Sequence, residues 1–131
     1  MKKVGKGIEV FNPYTWLPSY GETSVKFRIE NSELVVTIIF DGESGICERE
    51  LRFVAVCWFC SQAFPGPSML DIDGDDVKLL LRGVLIEYPN SEAAMAWRVH
   101  FGSARAVRHF SIAFMSANIK FSVLASEVMV S

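Results

Sequence analysis

Three cysteines, two histidines and no surplus of positive charge leave several functions without their usual residues. An odd, low cysteine count (Cys47, Cys57, Cys60) does not make a secreted disulfide framework and agrees with a reducing compartment. Thirteen basic against fifteen acidic residues give a net charge of −2. Nucleic-acid binding calls for a clustered basic face, so no nucleic-acid partner is expected. Long hydrophobic runs are also missing. The longest, Phe53 to Cys60, is eight residues, against the roughly 20 needed for a helical membrane span. Met1-Lys2-Lys3 is basic, but Gly5, Gly7, Asn12, Pro13 and Pro18 break the stretch that follows, so neither leader nor anchor is read there. Cytoplasm, without membrane association, is the expected location.

What the chain has in excess is apolar surface. With glycine counted and tyrosine left out, the apolar share is roughly 55%, above the usual 45–50%. Charged residues are 21% of the chain. At 131 residues it forms one domain that hides roughly two-thirds of its unfolded surface. The excess must be buried in the core or at an interface, which makes a protein partner or self-association an expectation.

The hydrophobic rhythm is mostly that of strands. Val25, Phe27 and Ile29 alternate with Lys26, Arg28 and Glu30, and Asn31-Ser32 supplies a two-residue turn. Residues 33–40 are apolar on both faces, as in a central strand. Residues 46–60 read as one long strand, solvated at its first end and covered at its second, with a bend or bulge. A short strand near 68–72 and a longer one over 77–88 flank Asp73-Gly74, a hairpin signal, with Gly83 at a bulge. One helix is expected over 91–101: Ser91 suits its N-cap, Ala94, Trp97 and Phe101 form its stripe, and Gly102 ends it. Two alternating strands close the chain. Phe110, Ile112 and Phe114 face the core from the first, and Ile119, Phe121, Val123 and Ala125 from the second. The sum is a mainly β fold, an antiparallel sandwich or partly open barrel of about seven strands, with one short helix before the last hairpin. The first 20 residues form an irregular arm rich in aromatics and proline, and the β domain runs over 24–128.

Residues able to carry chemistry are few. Cys57-Trp58-Phe59-Cys60 matches C-x-x-C but ends a strand run instead of opening a helix. In a regular strand the two Cα atoms stand about 10 Å apart, beyond the roughly 7 Å a disulfide tolerates. They read as buried structural thiols, with redox or metal roles as lesser alternatives. Asp71, Asp73, Asp75 and Asp76 surround Gly74 without the glycine and glutamate spacing of a calcium loop; a solvated or partner-recognising tip fits better. Glu48 and Glu50 share a strand face with Arg52, which reads as a charged solvent surface. His100 falls in the last helical turn and His109 on a strand, neither in a nucleophile pattern. Gly5-Lys6-Gly7 lacks the context of a phosphate loop. No catalytic constellation, cofactor or metal site is therefore expected. Tyr14, Trp16 and Tyr20 belong to no periodic element. With Asp73, Asp75 and Asp76 they are the candidate interface, the alternative being that these aromatics cap a sheet edge.

Leu85-Ile86-Glu87-Tyr88, Ser91-Glu92-Ala93-Ala94, Trp97, Arg108-His109-Phe110 and Asn118 together resemble small bacterial proteins of the immunity type from contact-dependent or polymorphic toxin systems. The likeness covers residues 85 to 128 and contains no diagnostic motif. It implies a non-catalytic protein that binds one toxin tightly, and it assigns no site residues. The working expectation is a non-catalytic protein-binding module with an apolar, aromatic surface. A carrier holding an apolar small molecule inside a β scaffold is the alternative. An enzyme with dispersed residues would reveal itself as a perturbed titratable pair in a cleft.

Overall fold

A computed structural model describes residues 4–65 and 74–131, with side chains in these ranges except at 75 and 76. Among the described residues nine strands form two antiparallel sheets. Sheet A holds β1 (Ile8–Phe11), β6 (Leu85–Glu87), β7 (Arg108–Phe114), β8 (Ile119–Ala125) and β5 (Trp58–Ala63), in that spatial order. Sheet B runs β2 (Ser24–Glu30), β3 (Glu33–Gly42), β4 (Gly45–Val54), β9 (Glu127–Val130). The expected sandwich is present. Leu34, Val36, Ile38, Phe40, Leu51 and Phe53 from sheet B meet Leu85, Phe110, Ile112, Phe114, Phe121 and Val123 from sheet A in one buried cluster. Ring pairs span it, such as Phe53–Phe110 with centroids 5.7 Å apart.

The β2–β3 hairpin follows the sequence. Asn31 and Ser32 take positive φ (48° and 67°), and Glu30 pairs with Glu33. The opposite phase of sheet B carries a charged carpet. Arg28 bridges Glu30 and Glu50, and Arg52 bridges Glu33 and Glu50. This is the charged surface expected for Glu48, Glu50 and Arg52.

Three expectations are corrected. The strand read over 46–60 is two strands in different sheets. The chain turns at Ala55, with φ 55°, and its carbonyl accepts a hydrogen bond from Arg105 Nη2. Residues 77–88 are not one strand. Helix α1 (Gly74–Leu81) precedes the three-residue β6. Gly83, at φ 72°, closes that helix by donating its amide to the Leu80 carbonyl, so it is a helix terminator and not a bulge. Gly74 thus starts a helix and not a hairpin; the strand near 68–72 lies outside the described residues. Finally, the arm is not wholly irregular: β1 pairs with β6, and a 3-10 turn over Pro13–Thr15 is capped by Asn12, whose side chain accepts the Tyr14 amide.

The expected helix is α2 (Glu92–His100), with Ser91 at its N-cap accepting the Ala94 amide at 3.2 Å. Both helices lie on the outer face of sheet A. Leu80 of α1 packs with Ile86, Tyr88 and Ala113, while Ala94 of α2 packs with Val107 and Leu124. Sheet A is therefore covered twice, by sheet B and by the helices. Among the described residues no helix is long and apolar enough to cross a membrane.

Candidate functional site

Strand register lays out the helix-bearing face of sheet A. Trp58, Leu124 and His109 form one cross-strand row, Cys60, Ser122 and Ser111 the next, and Gln62, Lys120 and Ala113 the third. The apolar cluster under α1 closes one end and that under α2 the other. Between them runs a strip of polar side chains, buried toward β7 and more open toward β5, where Trp58 is 45% exposed.

His109 and Lys120 stand out in this strip. Each is 7% exposed. Burial, with help from the Lys120 charge, pushes the His109 imidazole down to about 4, so the ring is neutral at neutral pH. Burial also lowers the Lys120 ammonium, opposed by Cys60. Among the described residues Lys120 has no hydrogen bond or ion pair. This is a perturbed titratable pair of the kind an enzyme with dispersed residues would require, and the Cys60 thiol and Ser122 hydroxyl occupy the row between the two. The nearest hydroxyl to His109, Ser91 Oγ at 2.7 Å, is fully buried and occupied as the cap of α2.

Ser91 Oγ thus joins Nδ1 of His109 to the Ala94 amide, holding the ring against the start of α2. Ser111 is spent in another way, donating to the Phe121 carbonyl at 3.2 Å.

The residues chosen from sequence are scattered. Trp16 stacks on Phe40 at 5.3 Å with the Arg49 guanidinium 5.5 Å from its ring, and it packs against the main core. Tyr14 packs beside it and against Gly83, its hydroxyl raised by burial and by Glu22. Both pack onto the sandwich, and of the three Tyr20 alone stays open, at 65% exposure. The arm is sewn to the β7–β8 loop: Ser116 Oγ donates to the Tyr20 carbonyl and the Ala117 amide to Glu22. Asp73, and the side chains of Asp75 and Asp76, lie outside what the structure describes. Cys57 and Cys60 are free thiols, Cys57 packing under α2 and Cys60 on the polar strip. His100 makes edge contacts with Trp97 and Phe101 at the end of α2.

A second surface lies where the sandwich opens. β2 and β5 are edge strands of their sheets, brought together by the Phe27–Phe59 contact at 6.0 Å. Phe27 and Ile29 belong to the inward phase of β2, yet they are 45% and 54% exposed because no strand lies beyond them. Trp58, at the start of β5, is 45% exposed as well, but on the helix-bearing face. The alternation places Phe27 and Ile29 on one face of a half-buried strand, and it marks Lys120 and Ser122 only as outward positions of a strand.

No family model, curated protein or solved structure matches this chain.

Proposed function

We propose that this protein is a non-catalytic binding module that docks a protein chain along β2. The observation that carries the reading is the half-exposed Phe27 and Ile29 on an edge strand that pairs on one side only. Such an edge offers alternate backbone donors and acceptors, and an added strand satisfies them while covering the two side chains. The apolar excess of the composition supports this reading, as does the likeness to immunity-type proteins, under which the partner is a toxin protein met in the cytoplasm. The space between the sheets is filled by Phe53, Phe110, Phe114 and Phe121, which favours binding on the outside over carriage within.

The test is a photo-reactive residue placed at Ile29, compared with one at Val99 on α2, which is 77% exposed. In the native host cell, position 29 gives one discrete adduct, with a second copy or with one other protein, and position 99 gives none. No adduct at 29, or equal labelling at both positions, overturns the reading.

A further inference from the structure

We propose that the chain docked along β2 is a second copy of this protein, laid antiparallel so that the two Arg28 residues face each other on a two-fold axis and sheet B runs on into sheet B of the second copy. The proposal rests on the reading that β2 docks a protein chain, and it names that chain. A toxin protein seeking the same edge would compete with the second copy.

The order of charges along the strand carries the argument. Among the described residues β2 pairs with β3 alone. Asn31 and Ser32, both at positive φ, make a two-residue turn closed by the Glu30 and Glu33 pair. Such a turn hydrogen-bonds its closing pair, and bonded and non-bonded pairs then alternate along the hairpin. Lys26, Arg28 and Glu30 therefore spend their backbone groups on β3, while Val25, Phe27 and Ile29 aim theirs outward. An antiparallel partner bonds those three, and the even positions then face one another as the closer, non-bonded pairs, about 4.5 Å apart at Cα. Lys26 and Arg28 come first and Glu30 last, all three exposed. An antiparallel copy reverses that order, so the strand is complementary to itself, as a two-fold interface requires.

The same residues select the register. With Arg28 on the axis, Lys26 faces Glu30 of the second copy at two places, and Phe27 faces Ile29 at two places. Opposite charges and aromatic against β-branched side chains are both favourable cross-strand pairs. Phe27 and Ile29, 45% and 54% exposed in the single chain, are covered in both copies. Each Arg28 brings its own carboxylates to the axis, Glu30 at 3.0 Å and Glu50 at 3.3 Å, which offset the facing guanidinium. With Phe27 on the axis instead, Lys26 meets Arg28 at two places and like charges oppose. With Ile29 on the axis, Arg28 meets Glu30, but Phe27 falls opposite Asn31 of the turn and loses its apolar partner.

The test starts with light scattering on the purified protein, which is expected to show a dimer. Lys26→Glu and Glu30→Lys each set like charges opposite one another at two places, and each is expected to weaken dimerisation about tenfold or more. Mixing the two variants restores it, because both facing pairs of the mixed dimer are again opposite in sign. Arg28→Cys under mild oxidation links two copies through the introduced thiol, which peptide mapping separates from the native Cys47, Cys57 and Cys60. A non-bonded pair on the axis lies inside the roughly 4.4–6.8 Å that a disulfide spans at Cα. Lys26→Cys does not link to itself, since its two copies stand four residues apart, about 13 Å. If Glu30→Lys fails to fold, Lys26→Glu and the two thiol variants decide. A monomer whose position 29 still labels one other protein overturns the second copy and leaves edge docking standing; a monomer without an adduct removes both. A dimer that neither charge variant weakens, charge variants that mixing does not rescue, or equal thiol linkage at 26 and 28 also overturns the proposal.

Discussion

Ser91 Oγ lies 2.7 Å from Nδ1 of His109 while it accepts the amide of Ala94. One hydroxyl therefore starts α2 and orients the ring that ends the polar strip. Ser91→Ala removes the cap and leaves a buried ring nitrogen without its partner. Caps are worth about 1 kcal/mol and an orphaned buried group about 1–3. The expected loss in unfolding free energy is about 2–3 kcal/mol by urea titration. A loss below about 0.5 kcal/mol would show that the bond is not made.

Ala55 is the point at which the chain leaves sheet B for sheet A, and it does so at φ 55°. That region disfavours residues with a Cβ by about 1–2 kcal/mol, against a glycine entropy cost of somewhat less. Ala55→Gly is expected to stabilise the protein by up to about 1 kcal/mol. Destabilisation in the same denaturant assay would mean that 46–60 is a continuous strand after all.

The sandwich core makes its own demand. Phe53 is fully buried and faces Phe110, whereas Ile46, also on β4, is 79% exposed. Phe53→Ala should cost about 3–5 kcal/mol, and Ile46→Ala less than about 0.5. Similar costs at the two positions would contradict the assignment of faces.

Lys120 predicts a gain on removal. Its folded pKa lies below that of the unfolded chain, so the unfolded state holds the proton more readily and stability falls as pH drops from above 10.5 through the folded value. Below the folded value the protein bears that cost in full. Lys120→Met should raise the melting temperature at pH 7 by several degrees, on the order of 1 kcal/mol for a domain of this size. The gain should vanish above pH 10.5. A lower melting temperature at pH 7 would mean the ammonium has a partner.

The strands over 24–42 and 107–125 and helix α2 were legible because each has one dominant period and a turn or cap at its ends. The Ser91 cap was read to the residue. Two breaks were not. Ala55 takes a left-handed conformation without being glycine or asparagine, so nothing in its type marks the turn. Val77 to Leu81 is too short and too apolar to separate helix from strand by period; Gly83 was the available signal, as a helix terminator, and it was read as a bulge. The polar strip was hidden for the same reason. His109, Ser111, Lys120 and Ser122 occupy the phase opposite the core residues. With α1 unread, that phase belonged to solvent. The exposure of Phe27 and Ile29 was likewise beyond the pattern, since alternation gives the face of a strand but not whether another strand lies beyond it.

The buried, neutral state of His109 is the feature on which the reading of the polar strip depends. Because the folded pKa is depressed below the ordinary 6.5, stability is fully present above pH 6.5 and falls as pH drops toward 4, by about 3 kcal/mol in all. An NMR titration of the imidazole nitrogens tests it directly. The expected result is a neutral ring at neutral pH and a midpoint near 4. A midpoint near 6.5 would contradict the account.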